Sequence, residues 1–356
     1  MVFPGKTHRY LLIAGLLVIL CVLLAGCTSS SQKPVTNATS SQKVSVTPPA
    51  NDADSHTITF TNNLKDTVWI NILLGGESTF SDGTKCSAAG CKEIPANSGN
   101  FECCPVSQCS QSGCGPKLVK CDKGPALPYD GGFKLDPGQS KVVEAQKGWQ
   151  LSFWVRTGCT GTDDNLVCET GTCKSAYDGK GKLACGGIGS DYPATKGEIK
   201  FNGGSCDFYD VSLNDGFNVP MTIKPVANYQ PGTCSSGKYQ CGTAGGSANL
   251  NTILPAGLSD FAYKNSNGNT VGILSACKYT VKKNGAEDVT VCCPAAQGYT
   301  SDKCHPETWP QNLQDIKNFF KTNLPDAYSW TYDDPTSTFQ CASKDNAASA
   351  YAVSIG

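Results

Sequence analysis

The chain has 356 residues, and its 29 basic side chains are balanced by 30 acidic ones. This balance argues against a nucleic-acid-binding protein, since such binding depends on an excess of positive charge. With 38 Gly and 20 Pro, the composition favours a turn-rich β-protein. The 21 cysteines predict disulfides, and therefore an extracytoplasmic location where thiols are oxidised.

Residues 1–26 predict an export signal. Lys6 and Arg9 precede an uncharged stretch, residues 11–26, that is too short to span a bilayer comfortably. Its end, LAGC, resembles the lipobox of prokaryotic lipoproteins, in which the cysteine becomes the lipid-carrying N-terminus. We expect Cys27 to be lipidated and to anchor the protein to the cell membrane; the alternatives are an uncleaved anchor or an ordinary secreted precursor.

Residues 27–55 predict a tether. They are rich in Ser, Thr and Pro and contain almost no large apolar side chain, a composition that cannot bury a core. Folded character begins at about His56, so we expect one domain over residues 56–356.

Short segments that alternate apolar and polar residues follow, with turn residues between them. They lie at residues 57–62, 67–74, 141–146, 149–156, 197–202, 208–214 and 221–226. Their spacing predicts two packed antiparallel sheets. Residues 312–323 predict a helix, because apolar residues recur there at helical spacing between Pro310 and Pro325.

Six segments resemble the thaumatin family in order and approximate spacing, and they cover most of residues 57–356. They are FTNNLKDTVWI, GGFKLDPGQSKVVEAQKGWQLSFWVRTGC, ATKGEIKF, DFYDVSLNDGFNVPM, CCPAAQGYTSDKCHP and PDAYSWTYDDPTSTFQC. The resemblance implies an all-β fold. It implies a flattened β-sandwich core with a loop- and helix-bearing lobe, a small disulfide-rich lobe, and an acidic cleft between the core and the helical lobe.

The resemblance also implies which residues line this cleft. Carried over motif by motif, they are Arg156, Glu198, Asp210, Asp215 and Asp333, with Asp334 beside the last. Three neighbouring aromatic residues are candidates for stacking on sugar rings: Phe208, Tyr209 and Phe217.

Carboxylates that converge in one groove repel one another, which raises the pKa of some of them. Glycoside hydrolysis uses such a set, with one carboxylic acid as proton donor and a second carboxylate as base or nucleophile. Glu198 is the natural acid here and Asp215 its natural partner, while Arg156 would hold a neighbouring carboxylate ionised. The same residues would also fit a purely structural cross-link.

Family members with such a cleft bind β-1,3-glucan, and only some look hydrolytic. The resemblance therefore implies a cell-surface protein that binds a polysaccharide of the β-1,3-glucan type, with weak endo-glucanase activity second. The alternative is a disulfide-stabilised, non-catalytic scaffold that engages or inhibits another protein.

The sequence offers little material for metal or cofactor chemistry. The mature chain would keep two histidines, His56 and His305, and it has no GxGxxG or phosphate-loop string. We therefore expect neither a metal site nor a cofactor.

Family pairing implies five disulfides: Cys159–Cys168, Cys173–Cys185, Cys234–Cys341, Cys277–Cys292 and Cys293–Cys304. Two further family bridges are replaced at both partners, by Leu64 and Gly356 and by Leu254 and Ile273. A third family partner is Leu324 here, which would orphan Cys241 and suggests a replacement bridge from Cys206 to Cys241.

Residues 75–130 form an insertion with seven cysteines, where the family usually has a short connection. Its composition predicts a cross-linked mini-lobe without its own core. One of the seven thiols would be left over, to pair with Cys206, Cys241 or another chain, or to stay reduced. The insertion would be either a lid beside the cleft or a decorated surface loop.

Overall fold

The computed structural model describes residues 55–75, 90–93, 101–104, 128–146, 148–163, 165–173, 183–185, 189–201, 206–227, 229–230, 234, 236–343 and 349–356. All of them belong to one compact unit, residues 48–356. The export signal, Cys27, the tether and most of the insertion lie outside the described residues, so the predictions made for them stay predictions.

Eighteen strands and three α-helices are numbered in chain order over the described residues. The strands are β1 Ser55–Asn62, β2 Val68–Gly75, β3 Gly90–Glu93, β4 Phe101–Cys104, β5 Gly132–Leu135, β6 Ser140–Gln146, β7 Gln150–Arg156, β8 Thr160–Thr162, β9 Asn165–Val167, β10 Lys196–Lys200, β11 Cys206–Ser212, β12 Met221–Ala227, β13 Tyr229–Gln230, β14 Ala244–Gly246, β15 Ala262–Lys264, β16 Thr270–Ile273, β17 Phe339–Ser343 and β18 Ala350–Ile355. The helices are α1 Ala276–Asn284, α2 Val289–Cys292 and α3 Gln311–Asn323.

Two large sheets form the predicted β-sandwich. One has five strands in the order β14-β12-β18-β1-β6, and the other has seven in the order β13-β17-β11-β10-β7-β2-β5. Within these sheets neighbouring strands run antiparallel except β1 and β18, which run parallel. The all-β fold is confirmed, and each of the predicted strand segments is a strand.

The core between the sheets is built from the apolar residues of the alternating strands. Phe60 of β1 and Phe153 of β7 meet edge to face, with ring centroids 4.9 Å apart. A Cβ atom on Gly197 of β10 would lie 2.3 Å from the Phe153 ring, so only glycine lets this ring pack flat on the sheet. One face of the seven-stranded sheet therefore packs on the core, and its other face points away from the five-stranded sheet.

The helical lobe contains the predicted helix and two that the sequence pattern did not reveal. Helix α3 buries Leu313, Ile316 and Phe320, as its periodicity predicts. Helix α1 is capped by Ser275, whose Oγ accepts the Lys278 backbone N–H at 3.1 Å. A disulfide from Cys277 to Cys292 joins α1 to α2. No helix among the described residues has the length and apolar character to cross a bilayer.

Six disulfides link described cysteines, and four of them confirm the family pairing: Cys159–Cys168, Cys173–Cys185, Cys277–Cys292 and Cys293–Cys304. The predicted Cys234–Cys341 and Cys206–Cys241 bridges are wrong. The observed bridges are Cys206–Cys234 and Cys241–Cys341. Neither Cys206 nor Cys241 is therefore available to a thiol of the insertion.

The reason for the exchange lies in the sheet. Asp207 lies opposite Cys341 where β11 pairs with β17, and both residues are buried on the core face. Cys206 precedes Asp207 and so points to the other face of the sheet, away from the side on which Cys241 bonds Cys341. Cys241 donates its backbone N–H to the carbonyl oxygen of Gln340 at 2.9 Å, which places it next to Cys341.

The joint replacement at Leu64 and Gly356 is consistent with the structure. A Cβ atom on Gly356 would lie 2.8 Å from Leu64 Cδ2, so these two positions touch. Of the insertion, residues 75, 90–93, 101–104 and 128–130 are described, and β3 and β4 pair antiparallel with Cys91 opposite Cys103.

Candidate functional site

The outer face of the seven-stranded sheet carries the candidate site. In β10 the core-facing residues Gly197 and Ile199 are buried, while Glu198 between them is only half-buried on the outer face. Glu198 lies directly opposite Asp210 of β11. Residues opposite one another in an antiparallel pair have Cβ atoms about 5 Å apart, so the strand register alone brings these two carboxyl groups together.

Asp334 joins this pair from a loop that follows α3. Burial, together with the negative charges of Glu198 and Asp334, raises the pKa of Asp210 well above its usual range. The hydroxyl of Tyr328 donates to Asp334 Oδ1 at 3.0 Å, which fixes this carboxylate on the loop. Three acidic groups therefore lie close together, and their mutual repulsion acts on Asp210.

Asp215 has a different environment, between two lysines. Lys196 of β10 contacts its Oδ2, and Lys278 of α1 lies 3.2 Å from its Oδ1. Burial acts to raise the pKa of Asp215, but the two ammonium groups outweigh burial and hold the pKa below its usual value. Asp215 is thus a fixed carboxylate, and its pair with Lys278 joins the sandwich to the helical lobe.

A cavity of about 170 Å³ opens beside Asp215. Its lining residues are Asn214, Asp215, Ser275, Ala276, Cys277, Lys278, Glu287, Val291, Cys292, Pro294, Trp309, Ser329, Trp330 and Thr331. The set combines two indole rings with three charged side chains. It is built where the turn after β11 meets α1, α2 and the loop after α3.

Arg156 is covered and is not exposed in this site. Its side chain is fully buried, and it donates to the carbonyl oxygen of Leu183 at 2.7 Å and to Cys173 Sγ at 3.7 Å. In the strand register Ser152 lies opposite Glu198, and Arg156 is four residues further along β7, about 13 Å away. The positive groups in contact with Asp215 are Lys196 and Lys278.

Asp333 is also separate from the converging carboxyl groups. It is buried and accepts from the backbone N–H and the hydroxyl of Ser329, both at 3.0 Å. Lys321 of α3 lies 3.1 Å from its Oδ2. Asp333 therefore holds the loop together, and its neighbour Asp334 is the residue that faces Asp210.

Of the three aromatic candidates, only Phe208 is available to a ligand. Its side chain is 37% exposed, whereas Tyr209 and Phe217 are fully buried. Tyr209 packs on Phe339 with ring centroids 5.6 Å apart, because it points to the core from the strand on which Phe208 points outward. Tyr209 and Phe217 are thus core residues, and their assignment as sugar-stacking residues is wrong.

Sequence reasoning missed Lys196, Lys278 and Trp330. Lys196 lies two residues before Glu198, so strand alternation could have placed it on the same face. Lys278 is on a helix that the sequence did not predict, and Trp330 is in the same segment as Asp334. The sulfur atoms nearest Glu287 belong to the Cys277–Cys292 disulfide, so they are not thiolate ligands for a metal.

The sequence pattern of the Thaumatin family matches residues 118–355. The chain belongs to the thaumatin family. It is 37% identical over 221 residues to "Thaumatin-like protein 1" of Pyrus pyrifolia, a match that covers 61% of this chain and 77% of that protein.

A second relative is named for an activity. The chain is 36% identical over 235 residues to "Glucan endo-1,3-beta-glucosidase" of Prunus avium, with 65% of this chain and 83% of that protein covered. Among solved structures, the thaumatin-like xylanase inhibitor TLXI shares 21% identity with a TM-score of 0.30, over 56% of this chain and 87% of that one.

Proposed function

We propose that this thaumatin-family protein binds a polysaccharide of the β-1,3-glucan type in an acidic cleft, on the extracytoplasmic side of a membrane to which a lipid on Cys27 anchors it. The cleft consists of Glu198, Asp210, Asp215 and Asp334. The observation that carries the proposal is the placement of Glu198 opposite Asp210 on adjacent strands of an outward-facing sheet surface.

The chemistry of the cleft suits a neutral sugar polymer. Carboxylate oxygens accept hydrogen bonds from sugar hydroxyls, and the ammonium groups of Lys196 and Lys278 donate to hydroxyl oxygens. Phe208 and Trp330 add apolar ring surface beside these polar groups, the combination that is typical of ligand sites. The relative from Prunus avium, named for the endo-1,3-β-glucosidase reaction, supports a β-1,3-glucan as the polymer.

Hydrolysis takes second place in this proposal. Glu198 would protonate the glycosidic oxygen, with Asp210, whose pKa is raised, opposite it on the neighbouring strand, and Asp215, whose pKa is lowered, would be the ionised partner. Both oxygens of Asp215 are engaged by lysines, however, so Asp215 must leave one of them before it acts on a sugar or a water. This engagement favours binding over turnover.

The test is retention of the full chain, kept in detergent with its disulfides intact, on a panel of insoluble and soluble glycans. We expect selective retention on β-1,3-glucan, and at least a tenfold loss in a Glu198→Gln, Asp215→Asn variant. The matched control is Asp66→Asn, Glu144→Gln, which removes two exposed acids far from the cleft. Newly formed reducing ends would measure hydrolysis in the same samples.

Unchanged retention in the cleft variant would contradict the proposal. Failure of the unaltered protein to bind any glycan would also contradict it, and would favour the protein-interaction scaffold instead.

A further inference from the structure

The candidate site lies between two segments that border the outer face of the seven-stranded sheet. On one side, the segment around Gly171 packs over β7, where its carbonyl oxygen accepts the Trp154 indole N–H at 2.8 Å. On the other side, Tyr328 donates its backbone N–H to the carbonyl oxygen of Val211 at 2.8 Å and its hydroxyl to Asp334 at 3.0 Å. Strands β10 and β11 lie between these borders, so they form a floor that follows the strand direction.

The exposure of this floor increases along the strands. On β11, Ser212 is buried, Asp210 is half-buried and Phe208 is 37% exposed. On β10, Glu198 is half-buried and Lys200 is exposed. Residues two apart on a strand share one face and are about 6.7 Å from each other. The floor is therefore most enclosed beside Ser212 and most open beside Phe208 and Lys200.

The enclosed end of the floor is crossed by ion pairs. Lys196 lies opposite Ser212 and contacts Asp215, and Lys278 of α1 lies 3.2 Å from the same carboxylate. A ligand that extended past this end would have to separate these charges. A chain longer than the acidic cleft therefore extends in the other direction, over Phe208.

The open end has the side chains of a sugar-binding surface. Phe208 lies between Lys200 and Gln340 on the neighbouring strands, and Gln150 of β7 lies opposite Lys200. Among the described residues, Phe208 is the only exposed large apolar side chain on a strand of the seven-stranded sheet. An aromatic face supplies apolar contact to a hexose ring, and amide and ammonium groups around it bond the hydroxyls.

We infer that the glucan lies along β10 and β11, and that Phe208 is the platform of an outer subsite, which also includes Gln150, Lys200 and Gln340. The inference rests on the proposed function. It adds the direction of the polymer and a second sugar-binding position beyond the carboxyl groups. A chain that reaches both positions should bind more tightly than one that fills the acidic cleft alone.

The experiment measures calorimetric dissociation constants of the full chain, in detergent with its disulfides intact, for laminaritriose and laminarihexaose. In the unaltered protein the hexaose should bind more tightly, because it reaches both the acidic cleft and the outer subsite. Phe208→Ala should reduce this difference in affinity at least about fivefold. Phe208→Tyr, which keeps an aromatic face, should restore most of the difference.

Two further variants serve as controls. Val226→Ala shortens an exposed apolar side chain on β12 of the other sheet, and both constants should stay within about twofold of the unaltered protein. The Glu198→Gln, Asp215→Asn variant should weaken the binding of both oligosaccharides, since both use the acidic cleft. Near-ultraviolet circular dichroism checks that each variant keeps its tertiary structure.

The outcomes separate the inference from the proposed function. A loss in Phe208→Ala that is confined to laminarihexaose would support the outer subsite. Equal affinities for the two oligosaccharides in the unaltered protein, or an equal loss or no loss for both in Phe208→Ala, would overturn the inference and leave the proposed function standing. Absence of binding of either oligosaccharide to the unaltered protein would overturn the proposed function, and the inference with it.

Discussion

The outer face of the seven-stranded sheet has a covered end and an open end. At the covered end, Trp154 and Arg156 of β7 are fully buried, although they point away from the core between the sheets. At the open end, Glu198 and Asp210 of β10 and β11 are only half-buried and meet the cavity-bearing lobe. Strand alternation assigns all four residues to one face, so the difference comes from the segment that packs over β7.

That segment lies tightly on the strand. The indole N–H of Trp154 donates to the carbonyl oxygen of Gly171 at 2.8 Å, and a Cβ atom on Gly171 would lie 2.6 Å from the carbonyl oxygen of Val155. The Cys173–Cys185 disulfide closes the segment. We therefore expect the covered Arg156 to contribute to stability. Glu198 and Asp210, over which this segment does not pack, remain available to a ligand.

Removal of the guanidinium at the covered end should have the largest effect on stability. Arg156→Met leaves the carbonyl oxygen of Leu183 without this donor, and we expect the free energy of unfolding to fall by about 3 kcal/mol or more. Denaturant unfolding measures the loss. Glycan retention by the folded fraction should stay within about twofold of the unaltered protein, since the buried Arg156 side chain is not exposed to a ligand.

Lys200→Met, an exposed position on β10, is the control for Arg156→Met and should change the unfolding free energy by less than about 0.5 kcal/mol. A loss below about 1 kcal/mol in Arg156→Met would show that the covered end is not a stabilising element.

Removal of the disulfide that closes this segment should reduce stability less than Arg156→Met does. The Cys173–Cys185 bridge spans 12 residues, and replacement of both cysteines by Ala should cost about 2–3 kcal/mol. Backbone amides of Trp154 and Arg156 should exchange with solvent faster, while glycan binding is retained. The Cys277–Cys292 bridge spans 15 residues in the cavity wall beside Asp215. The Cys277→Ala, Cys292→Ala variant should lose similar stability together with glycan retention. Equal exchange rates at β7 before and after the replacement would contradict the role of the cover.

The smallest effect is expected at the open end, and it depends on pH. Burial and the charges of Glu198 and Asp334 raise the pKa of Asp210 above its unfolded value. The folded state therefore loses stability as pH rises from the unfolded pKa of this group to its folded pKa. Asp210→Asn removes the titration, so its stability relative to the unaltered protein should increase from pH 4 to pH 7. The change should be on the order of 1 kcal/mol.

Asp215→Asn should show the opposite dependence of stability on pH. The lysines lower the pKa of Asp215, so this carboxylate contributes stability above its unfolded pKa, and the contribution is lost as pH falls through the folded value. Stability curves for the two variants that run parallel with pH would contradict the assignment of the two environments.

The sequence predicts the strands and α3 well because their signals are local. Alternation in β7, β10 and β11 and the spacing of Leu313, Ile316 and Phe320 are visible without knowledge of any distant residue. Helix α1 lacks such a signal, since it buries only Ala276 and Thr280. Its position depends on a serine cap and a disulfide to α2.

The site was only partly predictable, for a related reason. Glu198 and Asp210 meet through strand register, which follows from the sheet. The burial of Arg156 depends on a covering segment, and the choice of Asp334 over Asp333 depends on which of two adjacent carboxylates the loop uses internally. The exchanged disulfides depend on the face to which each cysteine points. None of these is a property of a short stretch of sequence.

The pairing of β1 with β18 has a consequence for the order in which the protein folds. These strands are neighbours at the centre of the five-stranded sheet, with Thr57 beside Ala350, so the sheet cannot be completed until nearly the whole domain has been synthesised. Five of the six described disulfides join cysteines no more than 28 residues apart, and the sixth, Cys241–Cys341, spans 100. The five local disulfides can therefore form early and reduce the conformational freedom of the chain, whereas β1 pairs with β18 only at a late stage of folding.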